Sequence, residues 1–83
     1  MSNIDSLDVA RRSERIYDER LKSQLEREHL HRYVAVEPDS GDYYLGDTLS
    51  EAIQAARRAH PDRLAFAIRV GHLSTVHLGV LAT

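Results

Sequence analysis

In the first third of the chain, apolar side chains fall at Leu7, Ala10, Tyr17, Leu21 and Leu25, separated by three, seven, four and four positions. That spacing follows the helical period and predicts one long helix from Ser6 to about Glu28, a stretch without Gly or Pro. Val9 and Ile16 widen the apolar stripe slightly, and the pairs Asp8 with Arg12 and Asp18 with Lys22 stand one turn apart with opposite charge. The stripe is narrower than the face of about 100° that a helix lying fully on a core presents. Tyr17, Leu21 and Leu25 are therefore expected to offer a seam to a partner or to a second copy of the chain, packing on the chain's own sheet being the alternative.

The pattern changes at His31. Tyr33-Val34-Ala35-Val36 and Tyr43-Tyr44-Leu45 read as two strands, since β-branched and aromatic residues suit a half-buried pleated surface. Pro38-Asp39-Ser40-Gly41 between them predicts a hairpin turn: Pro presets φ, Asp and Ser bond their own backbone, and Gly accepts the left-handed position that closes the loop. Thr48-Leu49-Ser50-Glu51 has capping-box spacing and starts a helix with Leu49, Ala52, Ile53, Ala56 and Ala59 on one face; Pro61 ends it at about Ala59. Leu64, Phe66, Ile68 and Val70 then alternate with Ala65, Ala67 and Arg69, as in a strand with one face in a core. After Gly71-His72, Val76, Leu78 and Val80 predict a fourth strand. A right-handed crossover through the short helix leads to an α+β fold. The expected organisation is an N-terminal amphipathic helix or arm over residues 1–30, followed by a ββαββ domain over 31–83 with a wholly antiparallel four-stranded sheet of order 2-1-3-4.

Composition narrows the function classes. With 83 residues, 42% of them apolar, the chain is long enough for one small folded domain. Eleven Lys and Arg against thirteen Asp and Glu leave a net charge of −2, and residues 1–32 carry seven acids and seven bases, so no positive field collects phosphates and nucleic acid is disfavoured. The absence of cysteine rules out disulfides and thiolate metal sites. The opening residues lack a basic segment followed by an apolar run, and Leu64–Val70 is too short to span a bilayer, so no membrane contact and a cytoplasmic location are expected.

Candidate chemistry is sparse. Asp39-Ser40-Gly41 matches the short Asp-Ser-Gly signature of aspartic peptidases, but its place between two short strands marks a routine turn. Five histidines (His29, His31, His60, His72 and His77) raise a metal reading, yet their spacing assembles no four-ligand set. Neither a serine nucleophile at a recognised spacing nor a phosphate loop is visible, so no catalytic, cofactor-binding or metal residue is assigned. Tyr33, Tyr43 and Tyr44 gather three of the four tyrosines on the first hairpin, and alternation puts Tyr43 and Tyr44 on opposite faces, leaving a ring for an interface.

The segment Arg32 to Thr48 (RYVAVEPDSGDYYLGDT), followed by Pro61-Asp62 and Arg69-Val70-Gly71-His72, resembles a family of short uncharacterised bacterial proteins over roughly residues 31–80. The resemblance implies a hairpin–helix–strand fold behind a variable N-terminal helix. Some relatives are encoded beside other small genes in the manner of toxin–antitoxin pairs or peptidase-linked modules, which implies a protein partner. The resulting expectation is a non-enzymatic protein–protein interaction module, antitoxin-like or homo-oligomeric, with Tyr17, Leu21, Leu25, Tyr43 and Tyr44 at its contacts and no cofactor. The alternatives are a small metal-dependent or hydrolytic enzyme using His and Asp residues and a nucleic-acid-binding accessory protein.

Overall fold

The structure, a computed structural model, describes the backbone of residues 3–72 and 81–82 and the side chains of residues 7–72. The N-terminal segment is helical from α1 (Asn3–Ile16) through a π-helical stretch (Tyr17–Leu21) into α2 (Lys22–Glu28). Then come β1 (Tyr33–Glu37), β2 (Asp42–Gly46), α3 (Leu49–Ala59) and β3 (Ala65–Arg69).

The π stretch has a cause in the spacing of the buried side chains. Ser13, Tyr17, Leu21 and Leu25 stand four apart and all are buried, at 0%, 3%, 9% and 1% exposure. Four residues overshoot an α-helical turn by about 40°, so three such steps would carry Leu25 far around the helix from Ser13. Widening one turn, with the Lys22 N–H bonded to the Tyr17 carbonyl, takes back part of that drift and keeps the stripe facing the sheet.

That sheet lies between two helical layers. On one face Val34, Val36, Phe66, Ile68 and Val70 meet Tyr17, Leu21 and Leu25 of the long helix, with Val9, Ala10, Ile16 and Leu45 packed around them. On the other face Ala35, Ala65 and Ala67 let α3 come close with Ala52, Ile53 and Ala56, flanked by Tyr33, Tyr44 and Leu49. The alternation of large and small residues along β1 and β3 thus sorts them between two covered faces, where the sequence suggested only one.

Two further expectations are corrected. The long helix is no arm, because its stripe is one wall of the core; Ser13 brings it close enough for its hydroxyl to reach the Val36 carbonyl at 3.4 Å. The sheet is three-stranded and antiparallel, in the order 2-1-3, and not the four-stranded sheet expected. The fourth strand placed over Val76–Val80 falls outside the described residues. Beside β3 the described chain adds only Leu81–Ala82 opposite Phe66 and Ala65, a two-residue bridge too short for a full strand.

Local signals hold in detail. Gly41 closes the hairpin at φ 79° with its N–H on the Glu37 carbonyl at 2.9 Å. The Thr48 hydroxyl accepts the Glu51 N–H at 3.1 Å, while the Glu51 carboxylate reaches one residue further back than the usual box, to the Asp47 N–H at 2.9 Å.

Candidate functional site

Polar chemistry gathers at both ends of the sheet. At the hairpin end, Glu37 closes β1 with a carboxylate that is fully out of water. It accepts the backbone N–H groups of Asp39 at 2.8 Å and Ser40 at 2.9 Å, and so holds the Pro38–Gly41 turn from inside. Burial alone raises the Glu37 pKa, but the Ser40 side chain and those two N–H groups outweigh it and set it below the ordinary carboxylate value. Asp39 is clamped from outside: Arg12 of the long helix meets one carboxylate oxygen at 2.9 Å and Arg63, just before β3, meets the other at 3.3 Å. The hydrogen bond from Arg12 to Asp39 raises the arginine further above its usual value. With both oxygens engaged by guanidinium groups, Asp39 serves as the pin between three elements, an arrangement unlike the shared-proton carboxylate pair of a peptidase.

Beside this turn stand Ser40, His60 and Asp42, the residue types of a hydrolytic relay. The His60 Nε2 atom is 3.1 Å from Asp42 Oδ2 and 3.5 Å from Ser40 Oγ. A relay needs the acid on one ring nitrogen and the nucleophile on the other, so that a proton taken from serine is balanced across the imidazole. Here both partners face the same nitrogen. The cluster instead ties the end of α3 to the start of β2, with the Tyr44 ring edge-on to His60 and its hydroxyl 3.5 Å from Asp42 Oδ2. Burial, followed by the nearby Asp42 charge, raises the Tyr44 pKa.

At the opposite end, His31 sits at φ 75° and its Nδ1 lies 2.7 Å from His72 Nε2. Burial, then the charges of Arg69 and His31, lower the His72 pKa. Arg69 also donates from Nε to the His31 carbonyl at 3.2 Å, so a cation drawn to this pair would meet a guanidinium alongside. His29 faces Arg32 at 3.2 Å, and His77 lies outside the described residues. Among the described residues no three His, Asp or Glu side chains converge to hold an ion.

Tyr17 links the long helix to this end, donating to Glu26 at 3.2 Å and accepting the Gly71 N–H at 3.3 Å. Burial first, and the Glu26 charge after it, push its phenol up to about 12 against the relief from Gly71. An alkaline absorbance titration is expected to show one phenol ionising near pH 12 that disappears in Tyr17→Phe. Because the folded value lies above the unfolded one of 10.0, this group's contribution to stability is complete below pH 10.0 and lost as pH rises toward about 12.

The five expected contact residues therefore separate. Tyr17, Leu21 and Leu25 are inside the core and have no surface to offer, which corrects the seam reading: the sheet supplies the apolar face they need. Tyr44 is half-buried beneath α3. Tyr43 keeps 37% exposure on the long-helix face of β2, because that helix packs over β1 and β3. Among the described residues β2 pairs with β1 on one side only, which makes it an edge strand. The edge was implicit in the predicted strand order, whereas the Glu37 clamp was missed. Its signal is a lone acid ending an apolar strand immediately before Pro-Asp-Ser-Gly.

The fold defines a small α+β protein with a three-stranded antiparallel sheet between helices. No family model, curated protein or solved structure matches the chain. Among the described residues no helix is long and apolar enough to cross a membrane.

Proposed function

We propose that this chain is a non-enzymatic, cytoplasmic interaction module that docks a partner along the open edge of β2 by accepting an added strand. The observation that carries the reading is the edge itself. Soluble proteins blunt exposed strands with Pro, Lys, bulges or inward charges. β2 carries a charge only at its first residue, Asp42; Tyr43-Tyr44-Leu45-Gly46 has none of these devices, and its register with β1 runs without a bulge. Backbone groups there give a partner strand its affinity, and Tyr43 supplies an exposed aromatic anchor. The reactive side chains support the same reading, because Glu37, Asp39, Ser40, Asp42 and His60 bind one another or the turn. Antitoxin-like neutralisation is one form such docking takes.

The test is capture from the native host with tagged wild-type chain and Tyr43→Lys. The substitution puts a charge on the edge without touching the core, so circular dichroism is expected to remain unchanged while capture weakens by about tenfold or more. Capture equal to wild type by a folded Tyr43→Lys chain refutes the β2 edge. Deleting residues 1–28 is no substitute, because it removes Tyr17, Leu21 and Leu25 from the core.

A further inference from the structure

The β2 edge is complementary to itself, and we infer that its occupant is a second copy of this chain, the two β2 strands pairing antiparallel about a two-fold axis through Tyr44. This rests on the reading of β2 as a docking edge. In a continuous antiparallel sheet, directly opposed side chains share a face, so a two-fold pair joins residues of equal parity. Centring on Tyr44 sets Tyr43 opposite Leu45 of the second copy, Asp42 opposite its Gly46, and Tyr44 opposite its counterpart. Only this centre uses every residue of Asp42–Gly46. Centring on Tyr43 or Leu45 runs one end of the strand against the loop.

Three features fit that register. Tyr43 over Leu45 is an aromatic–aliphatic cross-strand pair, made twice, and it covers the exposed ring. Asp42 meets a glycine, so like charges do not oppose each other along the strand. One position beyond the strand, Gly41 comes opposite Asp47 of the second copy, and here the charges are complementary. The exposed Arg20 guanidinium lies against Gly41, its Nη1 3.4 Å from where a Cβ on that glycine would stand, and it makes no ion pair among the described residues. The Asp47 side chain is 76% exposed and bonds Arg32 through one oxygen at 2.9 Å, leaving its other oxygen for Arg20.

Parity places Tyr43 and Leu45 together on the long-helix face, with Gly41 and Asp47 flanking them just beyond the ends of the strand. That helix packs over β1 and β3, so the strip between the two copies' helices is left to these residues. The contact is isologous and closes on itself, joining two three-stranded sheets into one and removing both open β2 edges.

Because the chain has no cysteine, introduced thiols report the register directly. Tyr44→Cys puts two sulfurs on the axis with Cα atoms about 4.5–5.5 Å apart, within disulfide reach. Mild oxidation is expected to convert it to a covalent dimer. Tyr43→Cys alone is expected to stay uncrosslinked, and an equimolar mixture of Tyr43→Cys with Leu45→Cys to form the mixed dimer. Should Tyr44→Cys fail to fold, that mixture decides the question. Light scattering of the wild-type chain at rising concentration is expected to approach twice the 9.4 kDa chain mass. Arg20→Glu is expected to weaken the dimer about tenfold at low salt, an effect that salt erodes.

Two results overturn the inference: a wild-type mass that stays at one chain up to millimolar concentration, and a folded Tyr44→Cys that stays monomeric under oxidation. Crosslinking by Tyr43→Cys alone overturns the register. If the chain is monomeric while capture of a different protein still depends on Tyr43, the edge reading stands and only its occupant is wrong. If that dependence is also absent, both fall.

Discussion

Glu37→Ala is expected to remove about 3 kcal/mol of folding free energy, a large share of the roughly 5–10 kcal/mol that holds a domain of this size. Its carboxylate is the only charged side chain fully out of water among the described residues, and it accepts two turn N–H groups with Arg63 at 3.9 Å. Truncation strands those donors and opens space beneath the hairpin. The result is sharper as a function of pH. The Glu37 carboxyl is held below its ordinary 4.5, so its stabilisation is complete above that pH and lost as pH falls through the lower folded value. Urea melts from neutral to acidic pH are expected to show the wild-type chain losing stability below 4.5, and Glu37→Gln losing less. Equal slopes for the two proteins would refute the clamp.

Gly46→Ala is expected to cost as much, about 3 kcal/mol, from a single methyl group. A Cβ at Gly46 would stand 2.5 Å from the Ala52 backbone N and 2.8 Å from Glu51 Cβ. Neither is the loose end of a side chain, so the first turn of α3 has to lift off β2. Ala52, Ile53 and Ala56 lose their seat against Ala35, Ala65 and Ala67 as it does. Chemical denaturation measures the loss, and a cost under about 1 kcal/mol would mean that α3 can slide along the sheet without penalty.

Both residues show how local and tertiary information divide in this chain. Gly46 reads from sequence as the end of a strand; only the closeness of α3 turns it into a contact that excludes a side chain. Glu37 reads as the last residue before a turn, and its buried contact with Arg63 comes from a residue far away along the chain. The π stretch was more nearly legible, since four-residue spacing from Ser13 to Leu25 drifts on a regular α-helix and has to be corrected somewhere. Ser40, His60 and Asp42 illustrate the opposite case, in which suggestive residue types are brought together with both bonds on one imidazole nitrogen.

What the sequence determined by itself is set by interactions within a few residues: the long helix, the Pro38–Gly41 hairpin, the Thr48 cap, the stop before Pro61 and the alternation along β1 and β3. Only the tertiary structure decided what covers each apolar face. A stripe such as Tyr17, Leu21 and Leu25 demands burial without naming the surface that provides it, because the hydrophobic effect has no direction and no memory of chain position. Here the sheet's own Val34, Val36, Phe66 and Ile68 meet that demand.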